Sequence, residues 1–387
     1  MNRQDYGSPQ AGQIIRGLDG NDAFLPSSLP PQFEWNPDLT VALSRADAVV
    51  GELSGIGRLL PAPELLIRPY IQREAVLSSR IEGTRTTLDE VLREDRGPET
   101  AEPQDADATE VRNYVAAMDY GLAALARRPV LSLNLILELH EILMAEIPGE
   151  RGSNASPGRF RTTQNWIGNP GSTPKTVRYV PPPPERLMEC LTAWERFVNE
   201  PSPMPDLVRC ALMHEQFEAI HPFNDGNGRI GRFFVTLFLI ERGRPSQPLL
   251  YLSEFIEANR EGYYESLQRI RTHGDWANWV LYFLEGVSVT GRRALDQTIQ
   301  LVDLREAWRS RLHRHPRLVA LIDPLLSNPY MTVARASREL GISDPTSRAA
   351  LFELEAAGLL TQIPSGSRRR LYVARPIMEI IDGRDGD

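Results

Sequence analysis

The sequence predicts a mainly α-helical protein that carries one short β-hairpin and ends in a small, separate helix-turn-helix unit. Three observations lead there. Apolar residues recur at helical spacing through most of residues 40–290. The stretch from Pro157 to Pro184 breaks that rhythm with short β-favouring pieces around a Gly/Pro-rich turn. From about residue 315 onward, two short helical patterns precede two short strands, in the manner of a compact independent unit.

Residues 1–38 are rich in Pro and Gly, and "FLPSSLPPQFEW" reads as extended chain lying against something larger. An amphipathic helix is predicted over Thr40–Leu60, a second over "APELLIRPYIQREAVLSSRIEG" with Gly83 as its stop, and a third over "TTLDEVLRED". The acidic stretch 95–109 lacks large apolar residues and reads as a solvated linker. Helical periodicity returns in "EVRNYVAAMDYGLAALA" and "LNLILELHEILMAEI", and again after the hairpin in "PERLMECLTAWERFVNE" and "PDLVRCALMHEQFEAIH". The apolar segment "GRIGRFFVTLFLIERG" predicts a buried helix, followed by helices around "YYESLQRIR" and "DWANWVLYFLEGV". The resulting division is an N-terminal part (1–109), a helical core (110–290), a charged helical connector (291–314) and a C-terminal unit (315–387).

Bulk properties narrow the class. A chain of 387 residues suits two or three domains, and 41% hydrophobic with 24% charged residues suits a soluble globular protein. The net charge of −8 argues against whole-molecule attraction to nucleic acid or anionic lipid. Two cysteines, Cys190 and Cys210, are too few for a disulfide framework, so a cytoplasmic location is expected. No signal peptide or membrane span is predicted: the longest apolar run, "FFVTLFLI", is far too short to cross a bilayer.

The chemistry concentrates in "HPFNDGNGRIGR", residues 221–232. Gly226 and Gly228 clear side chains from a turn, so successive amides can point at one anion. The helix that starts there adds unpaired N–H groups and a positive dipole end. Arg229 and Arg232, three apart, can lean the same way. Asp225 offers a hard oxygen of the kind Mg²⁺ takes beside nucleotide phosphates. His221, with an ordinary pKa near 6.5, suits a general base. Phe223 is the apolar plug expected to pin the loop. Each residue type alone is common in ordinary polar turns. Base, metal ligand, amide nest and paired cations within one dozen residues are the parts list of phosphoryl or nucleotidyl transfer.

These residues resemble the Fic motif, His-x-Phe-x-Asp/Glu-Gly-Asn-Gly-Arg-x-x-Arg, at every specified position. The resemblance extends over about 110–290 and implies a Fic helical core that transfers AMP from ATP to a protein hydroxyl. It implies His221 as the base, Asp225 as the Mg²⁺ ligand, and Asn227 with the amides of Gly226 and Gly228 as the anion hole. Arg229 and Arg232 would neutralise the β- and γ-phosphates. By the same resemblance, the hairpin at 164–180 is a flap that holds the protein substrate as an added strand. Tyr263 and Tyr264 either line the adenine pocket or are core tyrosines.

"SSRIEGT" carries a second signal. Ser78 and Glu82 are four apart, on one helical face, and Gly83 ends the helix. This is similar to the Ser/Thr-x-x-x-Glu-Gly/Asn inhibitory motif of many Fic proteins, which implies that Glu82 pairs with Arg232 and bars the γ-phosphate. The C-terminal segment resembles a winged helix-turn-helix, with seven arginines (335, 338, 348, 368, 369, 370 and 375) against four acids (339, 344, 353 and 355). DNA binding and protein docking both fit it. Three functions stay open: an autoinhibited adenylyltransferase, a Fic-type transfer from another donor or removal of AMP, and a DNA-binding regulator whose core senses nucleotide. Self-modification and homodimerisation stay open too.

Overall fold

Asn36 starts the first long helix: its Oδ1 accepts the amide of Leu39 at 2.9 Å, and Pro37 occupies the first turn, where no donor is needed. A computed structural model describes residues 1–60, 63–94, 106–148, 155–168, 171–364 and 370–383. The helices are α1 (Pro37–Leu59), α2 (Pro63–Ile81), α3 (Leu88–Glu94), α4 (Ala106–Arg127) and α5 (Leu133–Leu143). Then come α6 (Pro184–Asn199), α7 (Asp206–Ile220), α8 (Asn227–Glu241), α9 (Ser253–Ala258), α10 (Arg260–His273) and α11 (Trp276–Arg311). The C-terminal unit adds α12 (Pro316–Val319), α13 (Ile322–Ser327), α14 (Val333–Leu340), α15 (Asp344–Ala356) and α16 (Arg375–Asp382).

The centre of the core is α7, in which every residue from Leu207 to Ile220 is buried. It packs on α8, whose residues Arg229 to Leu239 are buried as well, as the apolar run predicts. Between them lies the turn 221–226, so the motif is anchored at both ends by buried helix. On the far side, α1 lies along α11. Gly291 permits that approach, since a Cβ there would stand 2.5 Å from Val49 Cγ1.

Four features differ from the sequence expectation. The N-terminal segment is not simply extended: β1 (Gly12–Arg16) and β2 (Asp22–Pro26) form an antiparallel hairpin, and the amide of Phe24 donates to Val180 O at 2.8 Å. The Asp19-Gly20 turn and the β-branched Ile14 and Ile15 are the local cause. Among the described residues, the hairpin at 164–180 shows one antiparallel bridge, Ile167 with Tyr179. Its shape is kept by side chains, with Trp166 Nε1 donating to Ser172 O at 3.0 Å and Gln164 Nε2 to Pro181 O at 3.1 Å. The connector at 291–314 is no separate element, because α11 runs unbroken through it to Arg311 for want of a proline or stop signal. The linker expected at 95–109 falls largely outside the described residues, and its last four positions belong to α4.

The C-terminal unit pairs α14 and α15 with a three-stranded antiparallel sheet of β3 (Tyr330–Thr332), β4 (Thr361–Ile363) and β5 (Leu371–Val373), in the order β3-β5-β4. It rests on the N-terminal helices. Asn328 Nδ2 donates to Leu92 O at 3.0 Å, and the Arg93 guanidinium lies 5.4 Å from the centre of the Tyr330 ring. Arg368 and Arg369 lie outside the described residues. Among the described residues, no helix is long and apolar enough to cross a membrane.

Candidate active site

The helix α7 ends at His221, which takes the left-handed conformation (φ 49°, ψ 62°). For a residue with a Cβ this costs on the order of 1–3 kcal/mol, so neighbours must hold it there. Two do. Arg161, 3% exposed, donates from Nε to His221 O at 2.9 Å and from Nη2 to Pro182 O at 2.6 Å. Asn165 donates from Nδ2 to Phe223 O at 2.9 Å. The imidazole Nδ1 of His221 is buried without a partner. Burial, then the charges of Arg161 and Arg271, push the ring pKa down to about 3, so it is neutral at pH 7.

The turn itself is closed by Asn227, whose amide grips both sides of Phe223: Oδ1 accepts its N–H at 2.8 Å and Nδ2 donates to its carbonyl at 2.9 Å. The side chain of Asn227 is therefore engaged in shaping the loop. Gly226 caps α8 with φ 82°, which suits a residue without a Cβ, and its N–H donates to Asp225 Oδ1 at 2.6 Å. The first intrahelical bond is Ile230 N to Gly226 O, which leaves the amides of Asn227, Gly228 and Arg229 at the open, positive end of the helix.

The two arginines of the motif diverge. Arg229 turns beneath the loop to Glu110, with Nη1 to Oε2 at 2.7 Å and 1% of either side chain exposed. Arg232 turns to α2. It donates from Nε to Ser78 Oγ at 2.8 Å, and from Nη2 to Ser78 O at 2.9 Å and Glu82 Oε1 at 2.7 Å. Glu82 lies one residue beyond the end of α2, where Glu82 N to Ser79 O and Gly83 N to Arg80 O tighten the last turn. Its carboxylate covers the start of α8: a Cβ on Gly228 would fall 2.4 Å from Glu82 Oε1. Burial alone would raise the Glu82 pKa, but Arg232 and Arg229 overcome it and hold the group below its ordinary value. The site is thus an anion position at a helix N-terminus, filled by the chain's own carboxylate.

Asp225 presents its side chain 39% exposed, with Oδ1 taken by Gly226 N and by Arg229 at 3.5 Å. Its Oδ2 has no partner among the described residues. One free carboxylate oxygen beside an anion site fits a Mg²⁺ held jointly with phosphate oxygens and water. Among the described residues, no three His, Cys, Asp or Glu side chains converge as a metal cage. Tyr263 is buried, with its hydroxyl 2.9 Å from His214 Nε2, whereas Tyr264 is 43% exposed beside it.

Sequence reasoning did not single out Arg161, Glu110, His140 or Glu74. Glu74 is buried behind Ser78, accepting the Tyr114 hydroxyl at 3.0 Å and the Ser253 hydroxyl. A buried histidine on the apolar face of "LNLILELHEIL" was the one visible signal among them.

The family model described as Fic/DOC family N-terminal matches residues 40–123, and that described as Fic/DOC family matches residues 130–239, together half of the chain. The chain belongs to the Fic/DOC family. Both halves of the site fall within these matches, Ser78 and Glu82 in the first and residues 221–232 in the second. Among relatives of this Fic chain, the protein adenylyltransferase Fic of Culex quinquefasciatus is 28% identical over 235 residues, covering 60% of this chain and 39% of that protein. The protein adenylyltransferase fic-1 of Caenorhabditis elegans is 32% identical over 157 residues, covering 39% of this chain and 26% of that protein. The chain therefore spans well under half the length of these relatives. The fold is that of a Fic family protein from Desulfovibrio desulfuricans (TM-score 0.57, 22% identity, 89% of this chain and 98% of that one).

Proposed function

We propose that this Fic protein is an adenylyltransferase that moves AMP from ATP to a Tyr, Ser or Thr hydroxyl of a protein, and that Glu82 holds it inactive. The observation that carries the reading is the Glu82 carboxylate on Arg232 at the mouth of α8. A triphosphate needs that same place, and Arg232 cannot serve both anions.

With Glu82 displaced, the amides at the start of α8 and the fork of Arg232 bind the phosphates. Arg229 adds its charge from beneath the loop. Asp225 would hold Mg²⁺ through Oδ2, and the cation when bound neutralises phosphate charge. His221, neutral at pH 7, takes the proton from the incoming hydroxyl as its oxygen bonds to the α-phosphorus and the bond to pyrophosphate breaks. In this reading the stretch 164–180, whose described residues carry the bridge of Ile167 with Tyr179, is where an extended target segment would pair. Exposed Tyr264, not buried Tyr263, is the better candidate to meet an adenine ring.

The C-terminal unit, in this reading, is a winged helix-turn-helix. Its Arg335 is engaged by the carbonyls of Pro324, Asn328 and Tyr330, while Phe352 on α15 is 62% exposed. That supports a protein-docking role over a phosphate-tracking one, and salt-dependent DNA binding is the outcome that would reverse it.

The label decides between transfer chemistries. With α-labelled and γ-labelled ATP in separate reactions, Glu82→Gly and a cell lysate should give protein carrying the α-label only. Label from the γ position, or α-label that survives His221→Ala, would refute the assignment.

A further inference from the structure

The ring of His140 lies flat on the motif phenylalanine: its centroid is 3.7 Å from that of Phe223 and the planes differ by 4°. His140 is fully buried on α5, and both of its nitrogens are occupied. Nδ1 accepts the amide N–H of Gly158 at 3.0 Å. In a neutral imidazole the other nitrogen then carries the hydrogen, so Nε2 donates to the carbonyl of Asp225 at 3.1 Å. The left-handed Gly226 packs on the same ring, since a Cβ there would stand 3.4 Å from His140 Cδ2 and Nε2.

We propose that His140 is a positioning residue for the Asp225–Gly226 turn, acting through its Nε2–H on the Asp225 carbonyl. The peptide plane that follows Asp225 is the one whose N–H belongs to Gly226, so fixing that carbonyl fixes the amide. It also fixes where the Asp225 carboxylate stands. His140 links three segments: α5, the Gly158 turn that leads to Arg161, and the motif loop. It touches no substrate position itself. The inference deepens the proposed function, because it rests on Asp225 as the cation-binding carboxylate.

His140→Phe keeps the stack on Phe223 and removes both hydrogen bonds, while His140→Gln restores a donor near the Asp225 carbonyl. Amide exchange in residues 222–229 should be about tenfold faster in His140→Phe than in the parent, unchanged in α7, and largely recovered in His140→Gln. In the Glu82→Gly background, the Mg²⁺ concentration for half-maximal AMP transfer should rise at least tenfold, as when the outer partner of a metal ligand is lost, with KM for the acceptor protein unchanged. Nitrogen NMR of the wild-type ring should find hydrogen on Nε2 and none on Nδ1. Unchanged exchange in folded His140→Phe, or hydrogen on Nδ1, would overturn the proposal. Absence of all transfer in Glu82→Gly would instead count against the catalytic reading, and exchange and tautomer would still decide on His140. Should His140→Phe not fold, the Gln variant and the wild-type tautomer carry the test.

Discussion

Glu110 and Arg229 meet at 2.7 Å with almost none of either side chain exposed, which places an ion pair beneath the motif loop. A buried pair contributes little net stability while both members are present, yet removing one takes from the other its closest counter-charge in a dry place. Glu110→Leu should therefore cost roughly 3–5 kcal/mol in a denaturant melt. The double variant Glu110→Leu/Arg229→Met should recover most of that loss. Equal costs for single and double variants would contradict the pairing.

Arg161 acts on the other side of the same loop. Its guanidinium reaches His221 O, Pro182 O and Ile220 O, and so holds the strained turn on which the imidazole sits. Arg161→Gln should lower stability by roughly 1–3 kcal/mol through carbonyls left unpaired. Steady-state kinetics in the Glu82→Gly background should show kcat falling well beyond any rise in KM for ATP, because the base moves while the phosphate groups do not.

Glu74 provides a pH signature. Burial raises its carboxyl from the ordinary 4.5 to about 7, against the opposing effect of the Ser253 and Tyr114 hydroxyls and Arg232. Since the folded-state pKa lies above the unfolded one, its contribution is fully present below pH 4.5 and is lost as pH rises through about 7. Glu74→Gln has no such loss. Thermal melts should show the difference, variant minus wild type, growing more positive from pH 5 to pH 8 by on the order of 3 kcal/mol. A difference that stays flat across this range would mean that Glu74 does not titrate there.

Legibility followed sequence distance. The motif at 221–232 could be read because its parts are consecutive, and Ser78 with Glu82 because one helical turn separates them. Their meeting with Arg232, across 154 and 150 positions, followed from the resemblance and not from spacing. Nothing local marks Arg161, which sits in a Gly/Pro-rich loop, or Glu110, the first apparent residue of an amphipathic helix. The helix predicted over "DWANWVLYFLEGV" and the helical connector form one element, α11, which runs through Gly286 and Gly291. Both are packing sites, where a Cβ would strike Phe255 or Val49. The N-terminal hairpin was hidden by the prolines around it, although its Asp-Gly turn is an ordinary hairpin signal.

We propose that the mouth of α8 and Arg232 form the seat of the nucleotide's terminal phosphate, and that Glu82 occupies it. The most direct measurement is the initial rate of AMP incorporation at fixed Mg·ATP for wild type and Glu82→Gly, each with His221 intact. Removal of the carboxylate should raise the rate at least tenfold, one lost charge-assisted hydrogen bond's worth of competition. Equal rates from two folded, ATP-binding proteins would contradict it.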